Sequence, residues 1–376
     1  MANNNNKNKC NVPHLRFPEF SGEWKKYSLG EVADFVKERI STDKLTLTTY
    51  VSTENMRSDF GGINPAISIP NNTNVIHYKK RDVLLSNIRP YLRKVWSANY
   101  DGGCSADVFV FRAKHITPFF LYYIIANDTF INYVMSGAKG VKMPRGDKEQ
   151  MLKYTFSIPT MEEQNKISHI LHLLDDRIST QNKIIEDLKK LKSAISLNVL
   201  HSDTWEQFKI KDIAQIGRGR VISSIEINQQ KNPTYPVYSS QTSNDGIMGY
   251  LDDYMFEGEY ISWTTDGANA GTVFYRNGKF NCTNVCGLLK LRKEFDTHFV
   301  SLVLAEATKK YVSINLANPK LMNNTMGNIQ IRLPKLEEQK RISIVFRVLQ
   351  GQWTVHNSLL TEYAKQKQYL LSQMFI

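Results

Sequence analysis

The chain repeats itself. The run Pro159-Thr-Met-Glu-Glu-Gln-Asn-Lys-Ile-Ser168 returns as Pro334-Lys-Leu-Glu-Glu-Gln-Lys-Arg-Ile-Ser343, 175 residues later. Each copy opens a long periodic segment. In the first, the seam positions are Ile167, Leu171, Leu174, Ile178, Gln181, Ile185, Leu188, Lys192, Ile195 and Val199. In the second they are Ile342, Phe346, Leu349, Trp353, His356, Leu360, Tyr363, Lys367, Leu370 and Met374. The steps alternate between four and three, which is the seam of a coiled coil. Even the polar interruptions coincide, Gln181 with His356 and Lys192 with Lys367. The helix-to-helix contacts are expected at Leu171, Leu174, Ile178, Ile185 and Leu188, against Phe346, Leu349, Trp353, Leu360 and Leu370.

The link Leu200–Thr204 is too short to lead into a parallel copy without the whole second body intervening, so that body sits between the end of one helix and the start of the next, and an antiparallel pair with a globular body at each end is expected. Keeping polar positions together predicts Leu174 near Met374, Ile178 near Leu370, Ile185 near Tyr363 and Ile195 near Trp353. Gln181 then lies near Lys367, and Lys192 near His356. A helix of roughly 38 residues spans about 57 Å at ~1.5 Å per residue, more than one duplex turn of ~34 Å. Thr160 and Glu163 suit a capping box at the first helix start. Lys335 replaces that threonine in the second copy, so its cap must differ.

The segments before the helices are also related. Trp24-Lys-Lys-Tyr-Ser-Leu-Gly-Glu-Val-Ala parallels Trp205-Glu-Gln-Phe-Lys-Ile-Lys-Asp-Ile-Ala, pairing Leu29 with Ile210, Val32 with Ile213 and Arg39 with Arg220. A short helix suits both of these openings. Beyond them, Val83–Ser86, Val108–Phe111, Tyr260–Trp263 and Val285–Leu289 read as strands separated by Gly and Asn clusters. Helical stretches follow at Pro118–Tyr133 and His298–Tyr311. The expected fold is therefore α+β, pseudo-twofold: two tandem α+β domains separated by two long helices in an antiparallel coiled coil. The divisions are an arm at 1–20, disordered or loosely docked, a first head at 21–158, a helix at 159–202, a second head at 203–333 and a helix at 334–376.

Charge names the kind of partner. Lys and Arg number 48 against 36 Asp and Glu, a formal net charge of +12. Such an excess on a globular composition points to a polyanion, nucleic acid first. Four cysteines, Cys10, Cys104, Cys282 and Cys286, are too few for a disulfide framework at this length, and the C-x₃-C pair has no second pair to complete a zinc site. The N-terminus carries no apolar leader, and the longest apolar run, 116–126, is interrupted by Pro118 and too short to span a bilayer. A cytoplasmic location and no membrane partner are expected.

Within the first head the richest basic cluster is Ser86-Asn-Ile-Arg-Pro-Tyr-Leu-Arg-Lys94, just after an apolar strand. Asn87, Arg89, Tyr91, Arg93 and Lys94 are candidate contacts to double-stranded DNA. Arg89 has the fork that fits guanine, while Arg93 and Lys94 suit phosphate. Lys142 and Arg145 lie on a second basic loop. In the second head the candidates are Arg218 and Arg220 flanking Gly219 in an exposed turn, then Ser240, Gln241 and Thr242, then Thr265 and Asn269, and Lys320, aligned with Lys142. Trp263 either stacks on a sugar or sits in the core, the ordinary place for it.

Catalytic motifs are missing. Asn232-Pro-Thr-Tyr235 approaches the [DN]-P-P-[YFW] motif of an adenine methyltransferase, but its third residue is Thr and no glycine loop accompanies it; a turn before a strand accounts for it. Gly217-Arg-Gly219 lacks the third glycine of a dinucleotide fingerprint and reads as a basic loop contacting phosphate. No Gly-x₄-Gly-Lys-[Ser/Thr] motor loop is present. His169 and His172 share a helix turn without a third metal ligand, and no metal site is expected.

Taken together, Pro13-His-Leu-Arg-Phe-Pro-Glu-Phe20, the two Trp-led openings and the two Pro-x-x-Glu-Glu-Gln helices resemble the specificity subunit of type I restriction–modification systems. The resemblance covers nearly the whole chain. It implies that each head is a target recognition domain reading one half of a bipartite DNA sequence, and that the coiled coil sets the gap between the halves. It further implies a non-catalytic chain that works with two modification (methyltransferase) subunits and with restriction/translocase subunits. Those partners would hold S-adenosylmethionine, ATP and magnesium, directing adenine methylation and ATP-dependent cleavage. The alternative is an orphan bipartite DNA-binding scaffold without enzyme partners.

Overall fold

The structure is a computed structural model and describes residues 11–313 and 318–376. The first half of the expected arm, with Cys10, lies outside the described residues. The chain forms two compact units, one of Met1–Asn182 with Ser358–Ile376, the other of Lys183–Asn357. Each unit thus holds one head, half of the helix Met161–Val199 and half of the helix Leu336–Met374.

In the first unit, one antiparallel sheet runs in the order Ala33–Phe35, Val108–Ala113, Val83–Ser86, Val95–Ser97. A second sheet runs Arg39–Ser41, Asn74–Tyr78, Gly102–Cys104, Tyr50–Val51, its last pair parallel. A ribbon of Lys25–Ser28 with Thr155–Ile158 closes the head. Val83–Ser86 is buried along its whole length, so its unbroken apolar run reads as a two-sided core strand rather than an alternating one. The expected helix Pro118–Tyr133 is two helices, Pro118–Ile125 and Asp128–Ser136. Asn127 breaks it, because its side-chain oxygen accepts from the Thr129 N–H and starts a new helix there.

The second unit repeats the strand order of the first of these sheets but not of the second, in which its parallel pair lies inside the sheet rather than at the edge. Its first sheet is Ala214–Arg218, Cys286–Leu291, Tyr260–Thr264, Val273–Arg276. The other is Ile247–Leu251, Tyr235–Tyr238, Lys279–Cys282, Phe256–Glu257. The single parallel pair recurs, with Tyr238 opposite Cys282 as Val51 is opposite Cys104. The short opening helices Leu29–Val32 and Ile210–Ile213 bury Leu29, Val32, Ile210 and Ile213, as the paired Trp-led segments predict.

Within each unit the two helix halves run antiparallel. In the first, Ile167 and Leu171 share a core with Leu370 and Met374; in the second, Ile195 and Val199 share one with Ile342 and Phe346. Of the twenty seam positions only Lys192 is exposed. The register differs from expectation by about one heptad. Lys367 Nζ lies 2.6 Å from Asp175 Oδ1, not beside Gln181, and Lys192 bonds Gln350 rather than His356. The reason is electrostatic: a largely buried ammonium needs a carboxylate, which an amide cannot replace.

The described part of the arm is docked rather than loose. Arg16 forks onto Glu163 with two bonds of 2.8 Å, and Glu163 is fully buried. The Leu15 N–H donates to the Gln373 carbonyl at 3.0 Å. Only half of the expected capping box forms in consequence. The Thr160 hydroxyl accepts from the Glu163 N–H at 3.4 Å, while the Glu163 carboxylate is spent on Arg16. Among the described residues no helix is long and apolar enough to cross a membrane.

Candidate nucleic-acid interface

Two basic loops that are about fifty residues apart in the first head become one ledge. Leaving the core strand Val83–Ser86, the Asn87 N–H donates to the Asp107 carbonyl at 2.8 Å and the Arg89 N–H to the Pro144 carbonyl at 2.8 Å. Ile88 bridges Arg145, which also pairs with Lys139. Arg89 and Arg93 both take left-handed backbone, with φ of 50° and 53°. They flank the 3-10 turn Pro90–Leu92 and leave Tyr91 exposed between them. Arg93 is held by Asp128 (3.1 Å) and Asp59, Arg145 by Asp107, and Lys94 donates to the Thr53 carbonyl. Lys142 is exposed. Lys139 pairs with Asp147, which raises the Lys139 ammonium and lowers the Asp147 carboxyl from their ordinary values.

The same scaffold recurs in the second head. The Thr265 N–H donates to Val285 and the Gly267 N–H to Pro319, while Asp266 and Ser313 each bridge Lys320. Position for position, Asn87 matches Thr265, Arg89 matches Gly267 and Pro144-Arg145 matches Pro319-Lys320. Lys320 therefore corresponds to Arg145, not to Lys142, which corrects the alignment drawn from sequence. Asn269 is exposed on this ledge. Thr265 is buried, with its hydroxyl bonded to the Val285 carbonyl at 2.9 Å, so it holds the loop instead of facing out. Trp263 is a core residue, fully buried, its indole N–H donating to the Leu321 carbonyl.

The expected exposed turn around Gly219 is in part a strand, since Arg218 ends Ala214–Arg218. A Cβ on Gly219 would lie 1.6 Å from the Cys282 carbonyl oxygen, so this glycine serves close backbone approach rather than a phosphate loop. Arg218 bonds Asn323 Oδ1 at 2.8 Å. Arg220 pairs with Glu226, whose carboxyl is held below its usual range by that hydrogen bond. Ser240 and Gln241 are half-buried and Thr242 exposed, on a loop ending in Asn244 and Asp245, which have φ of 49° and 52°. Arg276, almost fully buried, lies 3.6 Å from the Tyr238 ring and bonds the Asp245 carboxylate at 2.7 Å. Asn232-Pro233-Thr234 is a turn whose N–H groups at 231 and 232 donate to Asp252.

One segment escaped sequence reasoning. After the parallel strand Tyr50–Val51, the loop from Ser52 to Gly62 occupies the place that Ser239–Gly246 takes after Tyr235–Tyr238. It too contains two consecutive left-handed residues, Asp59 and Phe60 with φ of 53° and 58°. Their N–H groups donate to the Leu92 and Arg93 carbonyls, joining this loop to the basic ledge. The signal in the sequence was the pair Val51-Ser-Thr and Tyr238-Ser-Ser, each following a short apolar strand.

Two heads that share one central sheet order, each gathering basic, amide and hydroxyl side chains on loops at the end of its central strands, define a tandem recognition protein carried on paired helices. Comparison with known proteins identifies the class. The type I restriction modification DNA specificity domain matches residues 21–190 and again 202–362, so the chain belongs to that family. It is 36% identical over 196 residues to a "putative type I specificity subunit" of Mycoplasma pneumoniae, covering 51% of this chain and 82% of that one. It is 44% identical over 140 residues to the specificity subunit of the type I restriction enzyme MpnII of the same organism, covering 37% of this chain and 42% of that one. The solved S subunit of the type I restriction–modification system of M. genitalium shares the fold, with a TM-score of 0.74 and 15% identity over 97% of this chain and 99% of that one.

Proposed function

We propose that the chain reads a bipartite DNA sequence, one half-site per head, as the specificity subunit of a type I restriction–modification complex. The observation that carries this reading is the repeated ledge: the same backbone bridges place Arg145 in one head and Lys320 in the other, beside loops whose side chains differ. A common frame with different readers is what two different half-sites require. Phosphate contacts position and base contacts specify. Lys142, Arg145, Lys320, Arg218 and Lys94 suit phosphate. Arg89, Asn87, Gln241, Ser240, Thr242 and Asn269 suit base edges, with Tyr91 beside them. Thr265 supports its loop from behind. The Ser52–Gly62 loop joins this set.

The chain itself carries out no chemistry in this reading. Two modification subunits bring S-adenosylmethionine and methylate adenines, and restriction/translocase subunits add ATP-dependent cleavage. The heads are the target recognition domains, at 21–158 and 203–333, and the helices are spacers. The test is reconstitution: the chain alone should transfer no methyl group from S-adenosylmethionine, while the chain with its modification subunits should methylate only duplexes carrying a split motif. Methyl transfer by the chain alone would overturn the non-catalytic assignment.

A further inference from the structure

Arg89 is anomalous in three independent ways. Its backbone is left-handed, at φ 50°, a conformation that an L side chain adopts at some cost. The position that matches it in the second head, by the shared hydrogen bond to a proline carbonyl, is Gly267, with φ +87°. A glycine is the low-strain occupant there, and a Cβ at Gly267 would meet nothing within 4 Å, so space does not dictate the difference. Third, Arg89 is half-buried, yet none of the described residues accepts from its guanidinium; its Nε is shut off from solvent without a partner, as is Oδ1 of nearby Asn87. Arg93, Arg145 and Lys94 on the same ledge all have partners. An unpaired, partly desolvated arginine on a strained residue is unfavourable for folding alone and is the form a preorganised reader takes.

Resting on the reading of the chain as a bipartite DNA reader, we infer that Arg89 is the specificity-determining residue of the first head and forks onto the O6 and N7 acceptors of a guanine in its half-site. The flat guanidinium presents a parallel pair of N–H donors that matches that acceptor pair, whereas a phosphate contact is served by the exposed lysine nearby. The second head, with Gly267 at this place, has no such reader and relies on its amide and hydroxyl loop.

The test uses the full chain assembled with its modification subunits, on duplexes randomised one position at a time. Arg89→Gly installs the residue the second head already uses at this place, so its thermal midpoint should stay within about 2 °C of the parent. It should lower discrimination for one guanine in one half-site by roughly 10- to 100-fold, leaving the other half-site intact. Arg89→Lys keeps the charge and loses the fork, and should lose most of the same discrimination while keeping the salt dependence of binding. A split motif with no guanine in the affected half, equal weakening on every sequence, or relaxation of both halves would overturn the inference. A parent complex with no split preference at all would instead overturn the reading on which it rests, and the parent control reports that separately.

Discussion

The side chain of Gln164 accepts a hydrogen bond from the Thr117 backbone N–H at 2.9 Å and donates one to the Pro159 carbonyl at 3.0 Å. In the second unit Gln339 does the same, accepting from the Asp296 N–H at 3.0 Å and donating to Pro334 at 2.8 Å. Thr117 and Asp296 are the N-caps of the helices Pro118–Ile125 and Thr297–Ala307. The repeated Pro-x-x-Glu-Glu-Gln motif is therefore a latch. Its proline carbonyl and glutamine amide clamp the start of a long helix to the start of a helix in the head. Both glutamines are about 2% exposed, so the bonds they make are shielded from water.

Replacing either glutamine leaves a buried backbone N–H without an acceptor. Gln164→Ala and Gln339→Ala should each cost about 1–3 kcal/mol, read as a lower denaturant midpoint. Glutamate is the sharper probe, since it keeps the acceptor but loses the donor to the proline carbonyl and buries a charge; Gln164→Glu should be at least as destabilising as the alanine. An unchanged midpoint for both would show that the latch contributes nothing.

Leu174 and Leu349 lie on the helix seam, Leu174 nearly buried and Leu349 half-buried. Leu174→Asp and Leu349→Asp introduce an unpaired charge there and should lower stability by several kcal/mol, on the order of 3–5 kcal/mol at the more buried site. In the assembled complex, specificity for both half-sites should fall together. Loss at one half-site alone would mean that the heads read independently of the spacer.

Arg276 is nearly fully buried and bonds Asp245, Ser262 and the Asp245 carbonyl. Arg276→Ala removes these bonds and opens space under the left-handed pair Asn244-Asp245. A loss of about 2–4 kcal/mol is expected, with changed base preference confined to the half-site of the second head. Equal change in both half-sites would show that this loop reads no bases.

The imidazole of His298 is held down at about 4, against an ordinary value of 6.5, first by burial and then by the Arg347 charge. Lys192 adds to this, while Asp296 and Glu259 oppose it, and Ser343 sits 2.9 Å from its Nδ1. The folded ring is neutral, so the unfolded chain takes up the extra proton as the pH falls. The stability it contributes is complete above about 6.5 and is lost as the pH drops through 4, by up to ~3 kcal/mol in all. His298→Gln should flatten the stability profile between those limits relative to the parent. Parallel profiles would show that another group titrates there.

The helix pair, its seam and the doubled heads were legible in the sequence because they repeat at a fixed spacing and because apolar periodicity reports burial directly. The register was not, because it turns on single charges: Lys367 finds Asp175, a residue off the seam, and no pattern of apolar positions marks that choice. The basic ledge was legible as two separate clusters. Their union through Arg89 and Pro144 depends on long-range pairing, and the Ser52–Gly62 loop was missed because its one basic residue, Arg57, is outnumbered by Glu54 and Asp59. Thr265 and Asn269 look alike as loop residues, yet one faces the core, a distinction set by the Val285 carbonyl from the turn before another strand.

The central claim is tested most directly by a single-molecule methylome of the native host with and without the gene. Loss, on deletion, of one adenine-methylated motif made of two short sequences separated by an unread gap is the predicted result. Loss of a continuous motif, or a methylome that does not change, would contradict it.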